Sequence, residues 1–227
     1  MMRLGGKLKH GLRFATVAFD VDSTLASIEG IDWLAEQRGP DVARECAALT
    51  ARAMAGELPI EAVYVRRLEA IAPTGDEIDV LAEAYRAAIT RGAEELIAEL
   101  HEAGAEVHLI SGGLRRALLP MARDVGVPEE RVHAVDVAAD ARGRFVALDG
   151  PQPLATQQGK ALVLATLVLP RPTVIVGDGS TDAAARGVTD GFIAYTGVSR
   201  RPAVTAVADA EASDFTALHA LLFSSIP

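Results

Sequence analysis

After one short apolar run at residues 13–20 (RFATVAFD), the chain gives no further strand signal until residue 106. Between them lie helical patterns at residues 30–37, 41–54, 60–71, 77–89 and 93–103, punctuated by Gly39-Pro40, Gly56, Pro59 and Pro73-Thr74-Gly75. From residue 106 strands and helices mostly alternate. The pattern predicts a strand at 106–110, strands 131–138 and 144–148 joined as a hairpin around 140–143, and a helix at 156–167. A strand at 173–176, a helix at 181–186, a strand at 192–195 and a helix at 215–222 complete it. Alternation of this kind builds a parallel sheet covered on both faces. A βαβ crossover needs only about 30 residues, so the strandless stretch exceeds a simple connection. The expected fold is α/β: a Rossmann-like parallel sheet core of residues 1–25 and 89–227, with a small α-helical cap of residues 26–88 inserted after the first strand.

Composition narrows the function classes. Of the 227 residues 50% are apolar, enough for a sizeable core and too many for wholesale disorder. A net charge of −9 argues against a nucleic-acid partner, because phosphate backbones are held by basic surfaces. The longest nearly apolar run, residues 161–169, is far short of the ~20 residues of a membrane span, so no membrane partner is expected. Cys46, the single cysteine, allows no intrachain disulfide and fits a reducing compartment, which sets a cytoplasmic expectation. Residues 1–13 are basic, lack the apolar stretch of a signal peptide, and read as a frayed tail.

Acids at strand ends carry the chemistry. Asp20 and Asp22, in Phe19-Asp20-Val21-Asp22-Ser23-Thr24, point to the same side of an extended chain with Cα atoms about 6–7 Å apart. Carboxylates held so close repel unless a cation or a shared proton intervenes. Alone, the segment would pass as an acidic helix entry capped by Ser23 or Thr24. A second strand end, Val176-Gly177-Asp178-Gly179-Ser180-Thr181-Asp182, adds acids at i and i+4. It is no dinucleotide fingerprint, since Asp182 stands where the last glycine belongs and would face a pyrophosphate.

Ser111-Gly112-Gly113 follows a third strand with a hydroxyl and bare backbone amides suited to an anion. Lys160, the only lysine beyond residue 9, opens a helix after Gln158-Gly159. In a doubly wound sheet ligands gather at the carboxyl ends of the strands, where Asp20, Asp22, Ser111 and Asp178 all fall. Acids, a lysine, a hydroxyl and free amides together describe a divalent cation beside an oxyanion, and an all-oxygen donor set suits Mg2+. The histidines (His10, His101, His108, His133 and His219) are scattered without zinc-ligand spacing.

The order DVDST, SGG, a lone lysine and GDGSTD resembles the four motifs of the haloacid dehalogenase superfamily of phosphatases. With EGID after the first motif and AMAG ahead of the 60–71 helix, the chain is similar to the members that act on O-phosphoserine over nearly its whole length. That resemblance implies a Mg2+-dependent phosphomonoesterase converting O-phospho-L-serine to L-serine and phosphate, the last step of serine biosynthesis. It implies Asp20 as the nucleophile that forms an aspartyl-phosphate, and Asp22 as general acid and base. Mg2+ would be held by Asp20, the Asp22 backbone carbonyl and Asp178, with Asp182 in support. Ser111, the Gly112 amide and Lys160 would hold the phosphoryl group. A homodimer is compatible with the resemblance.

Substrate selection is expected in the cap. On a helix over residues 60–71, Ile60, Val63, Tyr64, Leu68 and Ile71 share one stripe, with Arg67 in its middle and Arg66 outside it. A charge on an apolar face either snorkels to water or meets an anion, and the pattern leaves both open. By the resemblance, Arg67 pairs with the substrate carboxylate, Glu29 receives its ammonium, Met54 shields the site and Thr181 adds a contact. Arg67 and Glu29 thus offer one group to each end of a zwitterion, which favours O-phosphoserine over a sugar phosphate. Two rival readings stand beside this one. One is a phosphatase of the same superfamily acting on another small phosphomonoester. The other is a non-enzymatic receiver module, which also clusters aspartates, Mg2+, a Ser/Thr and a lysine but lacks an inserted cap.

Overall fold

The computed structural model describes residues 11–54 and 57–223. Its strands are β1 (Thr16–Phe19), β2 (Glu106–Leu114), β3 (Val132–Val135), β4 (Val137–Ala139), β5 (Phe145–Leu148), β6 (Thr173–Gly177), β7 (Gly191–Tyr195) and β8 (Ala210–Ala212). Six of them form one parallel sheet in the order β3-β2-β1-β6-β7-β8, and β4 pairs with β5 in an antiparallel hairpin. All four residues of β1 are buried, as a central parallel strand covered on both faces requires. Its neighbours are the strand that follows it and the strand that comes much later, so the order reverses beside it. That reversal is the switch point at which α/β sheets open a crevice.

Helices α1 (Gly30–Gln37), α2 (Pro40–Met54), α3 (Ile60–Ile71) and α4 (Gly75–Ala87) all lie between β1 and α5 (Ala93–Ala103). The segments entering and leaving this group run side by side. Ser27 N–H donates to the Ala88 carbonyl at 2.9 Å and Thr90 N–H to the Leu25 carbonyl at 2.8 Å, around an Ala26–Ile89 bridge. The remaining helices are α6 (Arg115–Asp124), α7 (Gly159–Thr166), α8 (Ser180–Ala184), α9 (Pro202–Thr205) and α10 (Phe215–Leu222). Among the described residues no helix is long and apolar enough to cross a membrane.

Several segments depart from the pattern read in the sequence. Residues 131–138 are not one hairpin strand: β3 joins the main sheet beside β2, and the chain leaves it at Asp136 before β4 pairs with β5. Apolar residues stand on both sides of that single Asp136, so periodicity does not reveal the break. β2 runs on to Leu114 with an irregular register after Ile110, so Ser111, Gly112 and Gly113 lie in a distorted strand end rather than at a helix start. Before α7 the chain makes a short 3-10 turn, Pro153–Ala155, and the helix begins only at Gly159. α9 and β8, of four and three residues, are too short to leave a periodic signal.

Candidate active site

Register assembles the floor of the site. Phe19 is level with Leu109 on one side and Val176 on the other, so Asp20, the Ser111 segment and Asp178 emerge beside one another at the carboxyl ends of β1, β2 and β6. Asp20 is buried, and its Oδ1 accepts the Val21 N–H at 2.8 Å. Lys160, the second residue of α7, is also buried. Its Nζ lies 2.6 Å from Asp20 Oδ1 and 2.6 Å from Asp182 Oδ1. Asp182 Oδ2 in turn accepts the Gly179 N–H at 2.9 Å. Residue 177 has to be glycine here, because a Cβ would stand 2.2 Å from the Asp182 carboxyl carbon. As a result Asp20, Asp178 and Asp182 present oxygens within 4.8 Å of one another.

Burial raises the Asp20 carboxyl to about 7, with Asp182 adding to the rise and Lys160 opposing it. Burial and the Asp20 charge push Asp178 to about 8 against the pull of Arg201. For Lys160, burial alone favours the neutral amine, but the charges of Asp182 and Asp20 outweigh it and hold the ammonium above its usual range. The cavity between sheet and helices, about 200 Å³, carries Asp20, Asp22, Glu29, Asp32 and Asp178 on its wall against Arg67, Lys160 and Arg201. A phosphate entering this surplus of acids adds further negative charge. An oxygen-only cluster of raised carboxylates therefore fits a hard divalent cation held by Asp20 and Asp178.

Asp22 shares the cavity wall but is held from the helices. Its Oδ1 accepts the Tyr85 hydroxyl at 2.6 Å and the Gly30 N–H at 2.8 Å, and its Oδ2 lies 3.5 Å from the Ser111 hydroxyl oxygen. Burial, then Glu29 and Asp20, raise its carboxyl to about 7. Ser111 is fully buried, and its Oγ also accepts the Gly113 N–H at 2.9 Å, so it sits behind the Gly112 wall rather than on it.

The roof comes from α1 and α3. Val63, Tyr64, Leu68 and Ile71 are buried, Arg66 is exposed, and Ile60, Tyr64 and Arg67 reach the cavity wall. Arg67 resolves the choice between snorkelling and pairing: its side chain is only 14% exposed and its Nη2 pairs with Asp32 Oδ1. Glu29 accepts the Ser23 hydroxyl at 2.7 Å, and Thr181 lines the cavity beside Gly179. Met54 ends α2, and its side chain lies outside the described residues.

Of the residues read as a site, Asp20, Asp22, Glu29, Arg67, Gly112, Lys160, Asp178 and Thr181 all line this one cavity, with Ser111 and Asp182 directly behind it. Four further residues belong to it. Asp32 holds Arg67. Tyr64 donates its hydroxyl to the Gly112 carbonyl at 2.7 Å, and Tyr85 holds Asp22. Arg201, from the loop before α9, pairs with Asp178 Oδ2, donates to the Asp178 carbonyl at 3.2 Å and reaches Glu29 Oε1 at 3.4 Å. Tyr64 stood on the apolar stripe of its helix and carried no polar signal there. Arg201 sits in a loop where no periodicity applies.

The family model for haloacid dehalogenase-like hydrolases matches residues 17–185. A chloroplastic phosphoserine phosphatase of Arabidopsis thaliana is 37% identical over 198 residues, 85% of this chain, which spans 66% of that protein's length. Phosphoserine phosphatase of Bos taurus is 34% identical over 205 residues, covering 89% of this chain and 90% of that one. A phosphoserine phosphohydrolase-like protein from Francisella tularensis superposes with a TM-score of 0.82 at 26% identity over 92% of this chain and 99% of its own. A structure of a phosphoserine phosphatase described as a phospho-aspartyl intermediate analogue gives 0.70 at 26% identity over 88% of this chain and 93% of its own. With the motif order, the sheet order and these matches in agreement, the chain belongs to the haloacid dehalogenase-like hydrolases and, within them, to the phosphoserine phosphatase family.

Proposed function

We propose that the chain is a Mg2+-dependent phosphomonoesterase that hydrolyses O-phospho-L-serine to L-serine and phosphate through an aspartyl-phosphate on Asp20. The observation that carries this reading is the setting of Asp20. Its contacts with Val21 N–H and Lys160 both fall on Oδ1, which leaves Oδ2 for the phosphorus. Asp20 Oδ2 attacks as the P–O bond to serine breaks, and Asp22 gives its proton to the departing serine oxygen. Asp22 then takes a proton from the water that attacks the phosphorus, which frees phosphate and restores Asp20. Lys160 and the Gly112 amide, joined by the Ser111 hydroxyl when it turns from Asp22, balance the charge on the phosphoryl oxygens. Mg2+ bound by Asp20, Asp178 and the Asp22 carbonyl, with Asp182 in support, would draw charge off those oxygens.

Selection rests on the roof. Arg67 already grips one carboxylate, that of Asp32, and its buried Nε has no hydrogen-bond partner among the described residues. A guanidinium on the cavity wall suits the planar carboxylate of an amino acid. Glu29 takes the ammonium and Thr181 makes a lesser contact, and by the family resemblance Met54 shields the site. The paired segments at Leu25–Thr90 and Ser27–Ala88 support a division into a core of residues 1–25 and 89–227 and a cap of residues 26–88. A receiver module has no use for a second carboxylate at Asp22 or for charged groups on inserted helices. The reading is of a cytoplasmic enzyme whose partner is a small phosphomonoester rather than a nucleic acid or a membrane, and sedimentation separates a monomer from a homodimer.

Phosphate release from O-phospho-L-serine, measured with and without Mg2+, tests this directly. Turnover should require the cation and fall by roughly 10⁴-fold or more in Asp20→Asn. Stoichiometric phosphorylation without release, or turnover that survives Asp20→Asn, would refute it.

A further inference from the structure

The Asp22 carboxylate is gripped chiefly on one oxygen. Oδ1 accepts two hydrogen bonds, from the Tyr85 hydroxyl at 2.6 Å and the Gly30 N–H at 2.8 Å, while Oδ2 lies on the Ser111 side. Tyr85 is fully buried in α4 and stands 63 residues from Asp22 in the chain. Two glycines clear the space its phenol occupies. A Cβ at Gly30 would lie 2.0 Å from the hydroxyl oxygen, and one at Gly113 would lie 3.2 Å from it. Gly30 opens α1 and Gly113 belongs to the irregular end of β2, so two separate segments leave room for a single hydroxyl. A tyrosine placed only for packing needs neither the short bond nor the clearance.

A carboxyl oxygen that already accepts two hydrogen bonds is a poor seat for a proton of its own. The proton of the acid form then resides on Oδ2, the oxygen on the Ser111 side of the carboxyl group. We infer that Tyr85 is a positioning residue for the acid–base step: with the Gly30 N–H it fixes the rotation of the Asp22 carboxyl group and keeps the transferable proton on Oδ2. The inference rests on the role of Asp22 proposed above. In the first step the Oδ2–H proton passes to the serine oxygen, and the O–H electron pair stays on Asp22 as carboxylate. In the second step Oδ2 regains a proton from the attacking water. Tyr85 keeps its own proton throughout and touches no substrate.

The test uses two esters that differ in their need for a proton. An alkoxide such as that of serine leaves poorly without one, whereas the phenolate of nitrophenyl phosphate leaves unaided. Tyr85→Phe keeps the ring and removes only the hydroxyl. It should lower kcat/KM for O-phospho-L-serine by about 10-fold and change that for nitrophenyl phosphate by less than about twofold. Equal losses on both esters would reduce Tyr85 to a structural role, and no loss on either would leave its hydroxyl idle; each overturns the inference. Thermal unfolding reports whether the variant is folded. Should it not fold, Gly30→Ala, whose Cβ drives the phenol off Asp22 while the residue 30 N–H is kept, must show the same selectivity, equal losses again being contrary. A wild-type chain that hydrolyses neither ester would overturn the phosphatase reading itself, whereas unselective loss in the variants leaves that reading standing.

Discussion

The floor and the roof of the cavity are built by opposite rules. On the floor, the Lys160 side chain is 5% exposed and Asp182 is wholly buried, and each is held by partners at 2.6–2.9 Å. On the roof, Arg67 is 14% exposed and its partner Asp32 is 46% exposed. Ions taken out of water tolerate only one arrangement, because a lost partner leaves an uncompensated buried charge. A half-exposed pair is screened, and one carboxylate can replace another at small cost. The floor is therefore suited to a fixed reaction. The roof is suited to choosing which molecule undergoes it.

Breaking the floor should be the most damaging change. Lys160→Met leaves Asp20 and Asp182 facing each other without their cation. Activity on O-phospho-L-serine and on nitrophenyl phosphate should fall together by roughly 10²–10³-fold, and urea unfolding should show a loss of about 3–5 kcal/mol. Loss on one ester alone would contradict the division between floor and roof.

The roof should respond selectively. Arg67→Ala should lower kcat/KM for O-phospho-L-serine by about 100-fold, the scale of lost hydrogen bonds to a charged group, while nitrophenyl phosphate is turned over nearly as before. Asp32→Asn sharpens the comparison in the other direction. Releasing Arg67 from its internal carboxylate should lower KM for O-phospho-L-serine by about threefold, and a raised KM would mean that Asp32 orients Arg67 rather than competing for it.

The smallest effect is on stability against pH. Asp20, Asp22 and Asp178 are raised by burial to about 7, 7 and 8. The native chain then binds more protons than the unfolded chain above the ordinary carboxylate range, so these groups make stability fall as pH rises toward 8. His133 works in the opposite sense, since burial lowers it from 6.5 to about 4 and its contribution grows with pH between those values. Above pH 6.5 only the acids remain. The Tm without divalent cation should thus fall by several degrees between about pH 6.5 and 8.5. Adding Mg2+ should restore more at the upper end, where the ligands are deprotonated. A Tm that rises across that window would contradict the cluster's raised carboxyls.

The floor was legible in the sequence because each part is a local string at a strand end: Asp20 with Asp22, Ser111 with its glycines, Asp178 with Asp182. Parallel register then does the rest by setting those ends level. Arg67 was visible for a different reason, as the one charge inside an apolar helical stripe. What escaped depends on pairs distant in the chain. Tyr85 and Tyr64 look like ordinary core residues until their hydroxyls are seen on Asp22 and the Gly112 carbonyl. Arg201 meets Asp178 only because the loop before α9 folds over the end of β6. The break between β3 and β4 escaped because a lone Asp136 between apolar neighbours does not end a strand pattern, and only pairing with β2 does.

The claim that bears the most weight is that Asp20 itself receives the phosphoryl group. Acid quenching during turnover of O-phospho-L-serine, followed by mass spectrometry of the peptides, reads it directly. The account predicts one phosphoryl group on the peptide containing Asp20, located at that residue and missing from Asp20→Asn. Phosphate release with no phosphorylated aspartate, or a phosphoryl group that persists in Asp20→Asn, would contradict it.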